Sequence, residues 1–177
     1  YVAEAKFFRA FVYFHLVNIY GEVPLKLLPQ IDDASIHVGL SSVSAIYAQI
    51  EQDLRDASTL PVSYSTSDAG RVTRGAAYGL LAKAQLYQKK YSDVLTTIQL
   101  IENFDIYDLE RPYSNLFKLG GEDSKEVLFA IRFLSGQNPG LGNSLNQWLA
   151  PQNESGYYFD APTQSYVDAF DDCLLYT

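Results

Sequence analysis

The stretch that decides the fold is residues 2–21, VAEAKFFRAFVYFHLVNIYG. Its apolar residues recur every three or four positions, and further aromatic and aliphatic side chains fill the adjoining face. This spacing predicts a helix over residues 2–20 that is buried on most of its sides. Gly21 stands where a C-terminal cap is expected, and Pro24 prevents the helix from continuing.

A second helix is predicted over about residues 43–59, after a connector that spans residues 25–41. Isoleucine, leucine and tyrosine repeat along one face of this helix, while acidic and amide side chains occupy the other. Ser41 or Ser42 is the expected N-cap, because a serine hydroxyl accepts a hydrogen bond from the first helical turn.

A third and a fourth helix are predicted over about residues 74–89 and 92–103, with a short break between them. The third helix follows the expected cap Thr73 and is crowded with glycine and alanine, so a neighbouring helix is expected to approach it closely. Two helices joined by a short turn, with small residues in the first, are typical of a tetratricopeptide-like hairpin.

The pattern changes after the fourth helix. Residues 126–133 alternate between two sides, which predicts a short strand. Residues 135–160 are rich in glycine, asparagine, glutamine and serine, and Pro162 marks the start of another short helix. The predicted fold is therefore mainly α, with tetratricopeptide-like helical hairpins, an irregular loop-rich segment and a short strand.

The composition excludes some classes of function. The 177 residues carry a net charge of −8, and the 13 basic residues are scattered, which argues against a nucleic-acid-binding protein. No apolar run approaches the ~20 residues that span a bilayer. Cys173 is the single cysteine, and the two histidines, His15 and His37, lack a ligand spacing, so neither a metal nor a cofactor is expected.

Several motifs resemble, in order, those of the SusD/RagB family. The first is Glu4 to Leu16 closed by Tyr20 to Leu25, and the second is the helix from Tyr47 to Ala57 that ends at Leu60–Pro61. The third is Arg71 to Ala77 with the small-residue helix that follows. The later ones are the tripeptides at residues 107–109 and 115–117, the segment 126–131 and residues 162–164. The resemblance extends to about residue 171.

The resemblance implies a mainly helical protein with a tetratricopeptide-like scaffold. Members of the family are surface-exposed lipoproteins of the outer membrane that bind glycans or other nutrients. They deliver these ligands to a SusC-type TonB-dependent transporter. The family has no catalytic residues and no cofactor, and its lipid-bearing cysteine lies near an N-terminus outside these residues.

The candidate ligand-binding residues lie in the polar loop. An aromatic ring can cover the apolar C–H face of a sugar while neighbouring amides bond its hydroxyl groups. The predicted carbohydrate-binding residues are Trp148, Tyr157, Tyr158, Asn146 and Asn153, with Gln147, Gln152 and Phe159 beside them. The alternative is that these rings fix the loop onto the helices, because tryptophan and tyrosine are usually well buried.

Two other functions stay open at this stage. A glycoside hydrolase would need two opposed carboxylates, for which Glu154 and Asp160 are the candidates in the loop. A helical-repeat adaptor that binds protein partners is compatible with the hairpin, although a fold alone does not give a function.

The ends of the sequence suggest an internal fragment of a longer protein. A helix is already under way at residue 2, and the chain begins without methionine. Residues 1–171 are expected to form a partial helical domain, followed by a non-native tail over residues 172–177. The run Cys173 to Thr177 matches the translation of a transposon end used in sequencing libraries, and a genuine apolar strand is the alternative.

Overall fold

The computed structural model describes residues 1–28, 36–118, 120–133, 142–157, 159 and 163–168. The chain divides into two compact units, residues 1–131 and residues 132–177. The proposed tail and the start of the last helix at Pro162 lie outside the described residues. The expected division into a helical domain and a tail therefore stays a prediction.

Within the part of the chain that the structure describes, the first unit has four α-helices. They are α1 (Val2–Tyr20), α2 (Val43–Ala57), α3 (Arg74–Tyr87) and α4 (Tyr91–Glu102). One short 3-10 helix lies between α2 and α3 at Thr66–Asp68, and two follow α4 at Tyr113–Phe117 and Gly121–Asp123. The prediction of a mainly α fold is confirmed. The ends of these four helices lie within two residues of the predicted ends. Within the described residues, no helix is both long and apolar enough to cross a membrane.

The predicted caps explain where the helices begin and end. The Ser42 hydroxyl accepts a hydrogen bond from the backbone N–H of Ala45, and the Thr73 hydroxyl accepts one from Ala76. Gly21 ends α1 with φ of 72°, a left-handed backbone angle that favours glycine, and its N–H donates to the carbonyl of Val17.

The core lies where α1 and α3 pack against α2. Phe7 and Phe14 of α1 are buried there, together with Ile46, Ile50 and Leu54 of α2. The alanines of α3 complete the cluster, because their small side chains let the helix lie close to its neighbours. This packing gives the first unit one contiguous apolar core.

The prediction that α1 is buried on most of its sides is wrong, since within the described residues only one face of the helix is buried. Phe7, Ala10, Phe14 and Val17 form one buried face, but the opposite face is largely exposed. The reason is that α2, α3 and the segment around Phe129 cover one side of the helix only. The exposed apolar side chains of α1 are Val2, Phe8, Val12, Ile19 and Tyr20.

The glycines of α3 accommodate side chains from the later, irregular part of the chain. A Cβ at Gly75 would lie 2.1 Å from the hydroxyl of Tyr107, and one at Gly79 would lie 2.7 Å from Leu128. The Tyr107 hydroxyl thereby comes within 3.3 Å of the Thr73 hydroxyl at the start of the helix. The small residues were expected to admit a helix, and at these two positions they admit single side chains instead.

The predicted strand over residues 126–133 is not present. This segment is irregular, and its alternating side chains contact two helices: Leu128 packs at Gly79 of α3, whereas Phe129 meets Phe7 of α1 edge to face at 5.1 Å. A strand needs a neighbouring strand to satisfy its backbone groups, and the described part of the chain contains only one isolated bridge, between Val23 and Ser41.

Ion pairs join α1 to its neighbours. The Arg9 guanidinium donates two hydrogen bonds to the carboxylate of Asp53, at 2.6 and 2.7 Å. Lys6 pairs with Asp56 one turn further along the same two helices. In the same way the Arg71 guanidinium donates to both oxygens of Glu4, at 2.8 and 2.9 Å. These contacts fix how α1 lies on the rest of the first unit.

A buried carboxylate ties α2 to the turn between α3 and α4. Glu51 is buried and accepts hydrogen bonds from Arg55 of its own helix and from Gln88 and Lys90 of the turn. Burial by itself raises the pKa of Glu51, but the donors Lys90, Gln88 and Arg55 outweigh it and hold the pKa below its ordinary value. The ionised form is therefore the one that the fold stabilises.

We expect the first unit to lose stability in acid through Glu51. Because the folded pKa is the lower one, this stabilisation is complete above the unfolded value of about 4.3 and is lost as the pH falls through the folded pKa. Glu51→Gln should lower the free energy of unfolding at pH 7 and flatten its decline below about pH 5. Urea unfolding from pH 7 to pH 3 measures both effects, with exposed Glu102→Gln as the control. Equal slopes for Glu51→Gln and the unchanged protein would contradict this expectation.

Candidate functional site

The candidate site lies in the second unit and is built on a short helix, α5 (Leu145–Leu149), which carries Trp148. The side chain of Asn143 accepts a hydrogen bond from the N–H of Leu145 at 2.8 Å, which starts the helix. The N–H of Trp148 donates to the carbonyl of Ser144 at 3.0 Å. The backbone that presents the indole ring is therefore fixed by local hydrogen bonds.

The chain then turns back so that the other predicted rings lie beside α5. The N–H of Tyr157 donates to the carbonyl of Gln147 at 2.7 Å, and the N–H of Phe159 donates to the carbonyl of Trp148 at 3.0 Å. These two hydrogen bonds hold Tyr157 and Phe159 against the helix. They join Trp148, Tyr157 and Phe159 in one backbone framework, here called the loop platform.

The turn that makes this return possible depends on glycine. After the 3-10 helix Gln152–Glu154, Ser155 takes a positive φ of 65°. A Cβ at Gly156 would lie 1.9 Å from the carbonyl oxygen of Ala150, so no larger residue fits there without moving the backbone. The composition of this segment predicts only a polar loop, although Ser155–Gly156 before an aromatic pair is a turn signal.

The rings of the loop platform reach solvent. Trp148 is 49% exposed and Tyr157 is 56% exposed, and Phe159 is largely exposed as well. The rings of Tyr157 and Phe159 lie 5.5 Å apart, tilted by 32°. Exposed aromatic rings of this kind can cover the apolar face of a ligand, while nearby amides bond its polar groups.

The structure brings some of the predicted residues together and leaves others outside its description. Trp148 and Tyr157 belong to the loop platform, and Asn153 is exposed on the 3-10 helix of the turn. Asn146 lies within α5, where its side chain is not described, and Tyr158 is outside the described residues. The assignment of these five residues to a binding site stays a prediction. Gln147, Gln152 and Asn153 are exposed amides of the described loop, as is Asn143, whose side chain accepts the hydrogen bond from Leu145.

The buried carboxylates of the first unit have a structural role. Asp53 forms an ion pair with Arg9, and Glu51 forms ion pairs with Arg55 and Lys90. Among the residues that the structure describes, no three His, Cys, Asp or Glu side chains come together in a way that could hold a metal ion. Asp160, one of the two carboxylates considered for a hydrolase, lies outside the described residues, and the side chain of Glu154 is not described.

Comparison with known proteins identifies the family of this scaffold. The profile of a SusD-like family, described as "Starch-binding associating with outer membrane", matches residues 1–103, more than half of the chain. A SusD-like protein of Formosa agariphila is 26% identical over 133 residues, which cover 75% of this chain and 25% of that protein.

Solved structures agree with this match. A SusD-like protein from Bacteroides fragilis has a TM-score of 0.76 at 31% identity, covering 96% of this chain and 34% of its own. A laminarin-binding SusD-like protein has a TM-score of 0.74 at 31% identity, covering 82% of this chain and 35% of its own. The chain thus spans about a quarter of the curated relative and about a third of these structures.

These matches confirm the family that the motifs of α1 and α3 indicate. The association with the outer membrane, which follows from the resemblance, is confirmed by the description of the family. The family profile covers all of α1 to α4, and the solved relatives have a similar fold. The chain belongs to the SusD-like family.

Proposed function

We propose that this chain is part of a surface protein that binds a glycan without altering it, and that the loop platform is one of its contacts. The observation that carries the proposal is the solvent exposure of Trp148 and Tyr157 on a backbone that their own hydrogen bonds fix. Because the rings are held in place before the ligand arrives, little conformational freedom is lost on binding.

Family membership supports a glycan as the ligand. The family is described as starch-binding, and one relative of similar fold is described as laminarin-binding. Starch and laminarin are neutral glucans with apolar C–H faces and many hydroxyl groups. Aromatic rings beside Gln147, Gln152 and Asn153 provide both kinds of contact that such chains need.

The proposal includes delivery of the bound glycan to a SusC-type TonB-dependent transporter in the outer membrane. The family description, which speaks of association with the outer membrane, supports this partner. Co-purification of a transporter with the intact protein from detergent-solubilised outer membranes tests it. Recovery of the intact protein without a transporter under mild detergent conditions would count against this part of the proposal.

The double substitution Trp148→Ala/Tyr157→Ala in the intact protein should weaken glycan binding by about tenfold or more. Buried aromatic anchors dominate the energy of most binding sites, and tenfold corresponds to about 1.4 kcal/mol. Affinity electrophoresis in gels that contain laminarin or starch identifies the ligand, and calorimetry with its oligosaccharides gives the affinity. Tyr166→Ala, an exposed ring of the same unit, is the matched control and should leave the affinity unchanged.

Two results would overturn the proposal. Unchanged affinity of the folded double variant would remove the loop platform from the site. Release of new reducing ends during incubation with the glycan would show hydrolysis, and a binding-only function would then be wrong.

A further inference from the structure

A second pair of exposed rings lies in the first unit, on the 3-10 helix Tyr113–Phe117. Tyr113 is 69% exposed and Phe117 is 74% exposed, and their rings meet edge to face at 5.2 Å. By contrast, Phe7 and Phe14 of the same unit are buried in its core. Two large rings that contact each other in solvent form a small, ready-made apolar surface.

A polar pocket of about 320 Å³ opens beside the same 3-10 helix. Asn115 and Lys118 line it from the helix and its end, and Glu110 and Ser124 line it from the flanking segments. Gly121 lets the backbone close the pocket, because a Cβ there would lie 2.4 Å from the carbonyl oxygen of Leu116. The volume is large enough for a single sugar ring.

The polar groups of this pocket are held in fixed positions. The Glu110 carboxylate accepts hydrogen bonds from the Ser124 hydroxyl at 2.8 Å and from the Asn115 amide at 3.2 Å. The Lys118 ammonium in turn donates to the amide oxygen of Asn115 at 2.9 Å. The hydrogen bond from Ser124, followed by that from Asn115, lowers the pKa of Glu110, so this carboxylate is an acceptor over the whole neutral range.

The charges of the pocket favour a neutral ligand. Glu110 and Asp123 contribute two carboxylates to the lining, against the single ammonium of Lys118. Lys125 also acts on Glu110, so these charges nearly balance and an anionic sugar gains no net attraction there. The hydroxyl groups of a neutral sugar, by contrast, can donate to the carboxylates and accept from Lys118. The same 3-10 helix therefore offers apolar rings and a fixed set of donors and acceptors.

We propose that the rings of Tyr113 and Phe117 and the pocket at Glu110, Asn115 and Lys118 form a second contact site for a neutral glycan. The proposal rests on glycan binding as the function of the protein, but it is independent of the loop platform, which lies in the other unit. It assigns glycan binding to a segment that the sequence marks only as one of the family-like motifs, at residues 115–117.

The first test observes Tyr113 directly in the intact protein labelled with fluorotyrosine. The fluorine resonances of Tyr113 and Tyr157 are assigned by their loss in Tyr113→Phe and Tyr157→Phe, changes that keep the rings. Laminarihexaose and maltoheptaose serve as neutral probes, and an oligogalacturonate serves as the anionic probe. We expect a neutral probe to shift the Tyr113 resonance at concentrations at which the anionic probe does not.

The possible outcomes distinguish failure of the second site from failure of glycan binding as the function of the protein. A shift at Tyr157 with none at Tyr113 overturns the second site and leaves the loop platform standing. No shift at either tyrosine with either neutral probe overturns both. A larger response of Tyr113 to the anionic probe overturns the neutral-ligand assignment.

The second test measures affinity. Tyr113→Ala/Phe117→Ala should weaken binding of the neutral probe about threefold or more without lowering the melting temperature. Tyr91→Ala, an exposed ring at the start of α4, is the matched control and should bind as the unchanged protein does. A double variant that melts earlier and binds normally would place these rings in the packing of the protein, and the second site would then be wrong.

Discussion

Replacing Phe7 by alanine should destabilise the first unit by about 3–5 kcal/mol, as expected when a fully buried phenylalanine is truncated. The ring is 1% exposed and lies in the core formed by α1, α2 and α3. It also meets Phe129 edge to face at 5.1 Å, so its loss removes an anchor of the irregular segment as well. The cavity that remains is lined by large side chains that cannot collapse fully around it.

The measurement is urea unfolding followed by far-ultraviolet circular dichroism, because the signal comes mainly from the helices of this unit. Phe8→Ala is the matched control, since Phe8 is the neighbouring phenylalanine but is about half exposed. Its substitution should cost less than half as much, although it too contacts Phe129. Equal losses for the two variants would show that α1 buries a different face from the one described here.

The helices could be predicted from the sequence because their ends are determined locally. Ser42 and Thr73 supply the hydroxyl groups that satisfy the first turns of α2 and α3, and Gly21 permits the left-handed cap of α1. Each of these signals lies within a few residues of the boundary that it sets. No knowledge of distant contacts was needed to place them.

The contacts between distant segments could not be predicted in this way. Alternation over residues 126–133 predicts a strand, but it arises here because Leu128 and Phe129 pack on two different helices. Leucine and isoleucine recur along α4, yet Thr97 is its one buried residue and Leu95 is largely exposed. A pattern shows that a face can be buried, but it does not show which segment covers it.

The candidate site was predictable in its residue types but not in its geometry. A tryptophan and tyrosines within a polar loop indicate a surface for sugars, and Trp148 and Tyr157 were named on that basis. The two backbone hydrogen bonds that align residues 157 and 159 with residues 147 and 148 depend on the turn at Gly156. Turn geometry of this kind requires knowledge of the backbone that the residue types alone do not contain.

A large loss of stability is also expected for Arg9→Met, which leaves the buried carboxylate of Asp53 without its cation. Asp53 is 1% exposed, and Arg9 is the one cation that pairs with it within the described residues. Methionine keeps much of the apolar stem of arginine, so the variant removes the charge and the two hydrogen bonds with little loss of packing. Breaking a buried ion pair costs about 3–5 kcal/mol.

We expect a cost of about 3 kcal/mol, at the lower end of that range, because the arginine side chain is 29% exposed and Gln49 still donates to Asp53. Arg55→Met is the matched control, since Arg55 also pairs with a buried carboxylate of α2. Glu51 keeps Lys90 and Gln88 after that change, so the control should cost about 1 kcal/mol or less. Equal losses of unfolding free energy for Arg9→Met and Arg55→Met would contradict this expectation. They would show that the cost does not depend on how many partners each carboxylate keeps. The restoration of stability by Arg9→Met/Asp53→Leu, in which neither charge remains, would show that the unpaired carboxylate itself causes the loss.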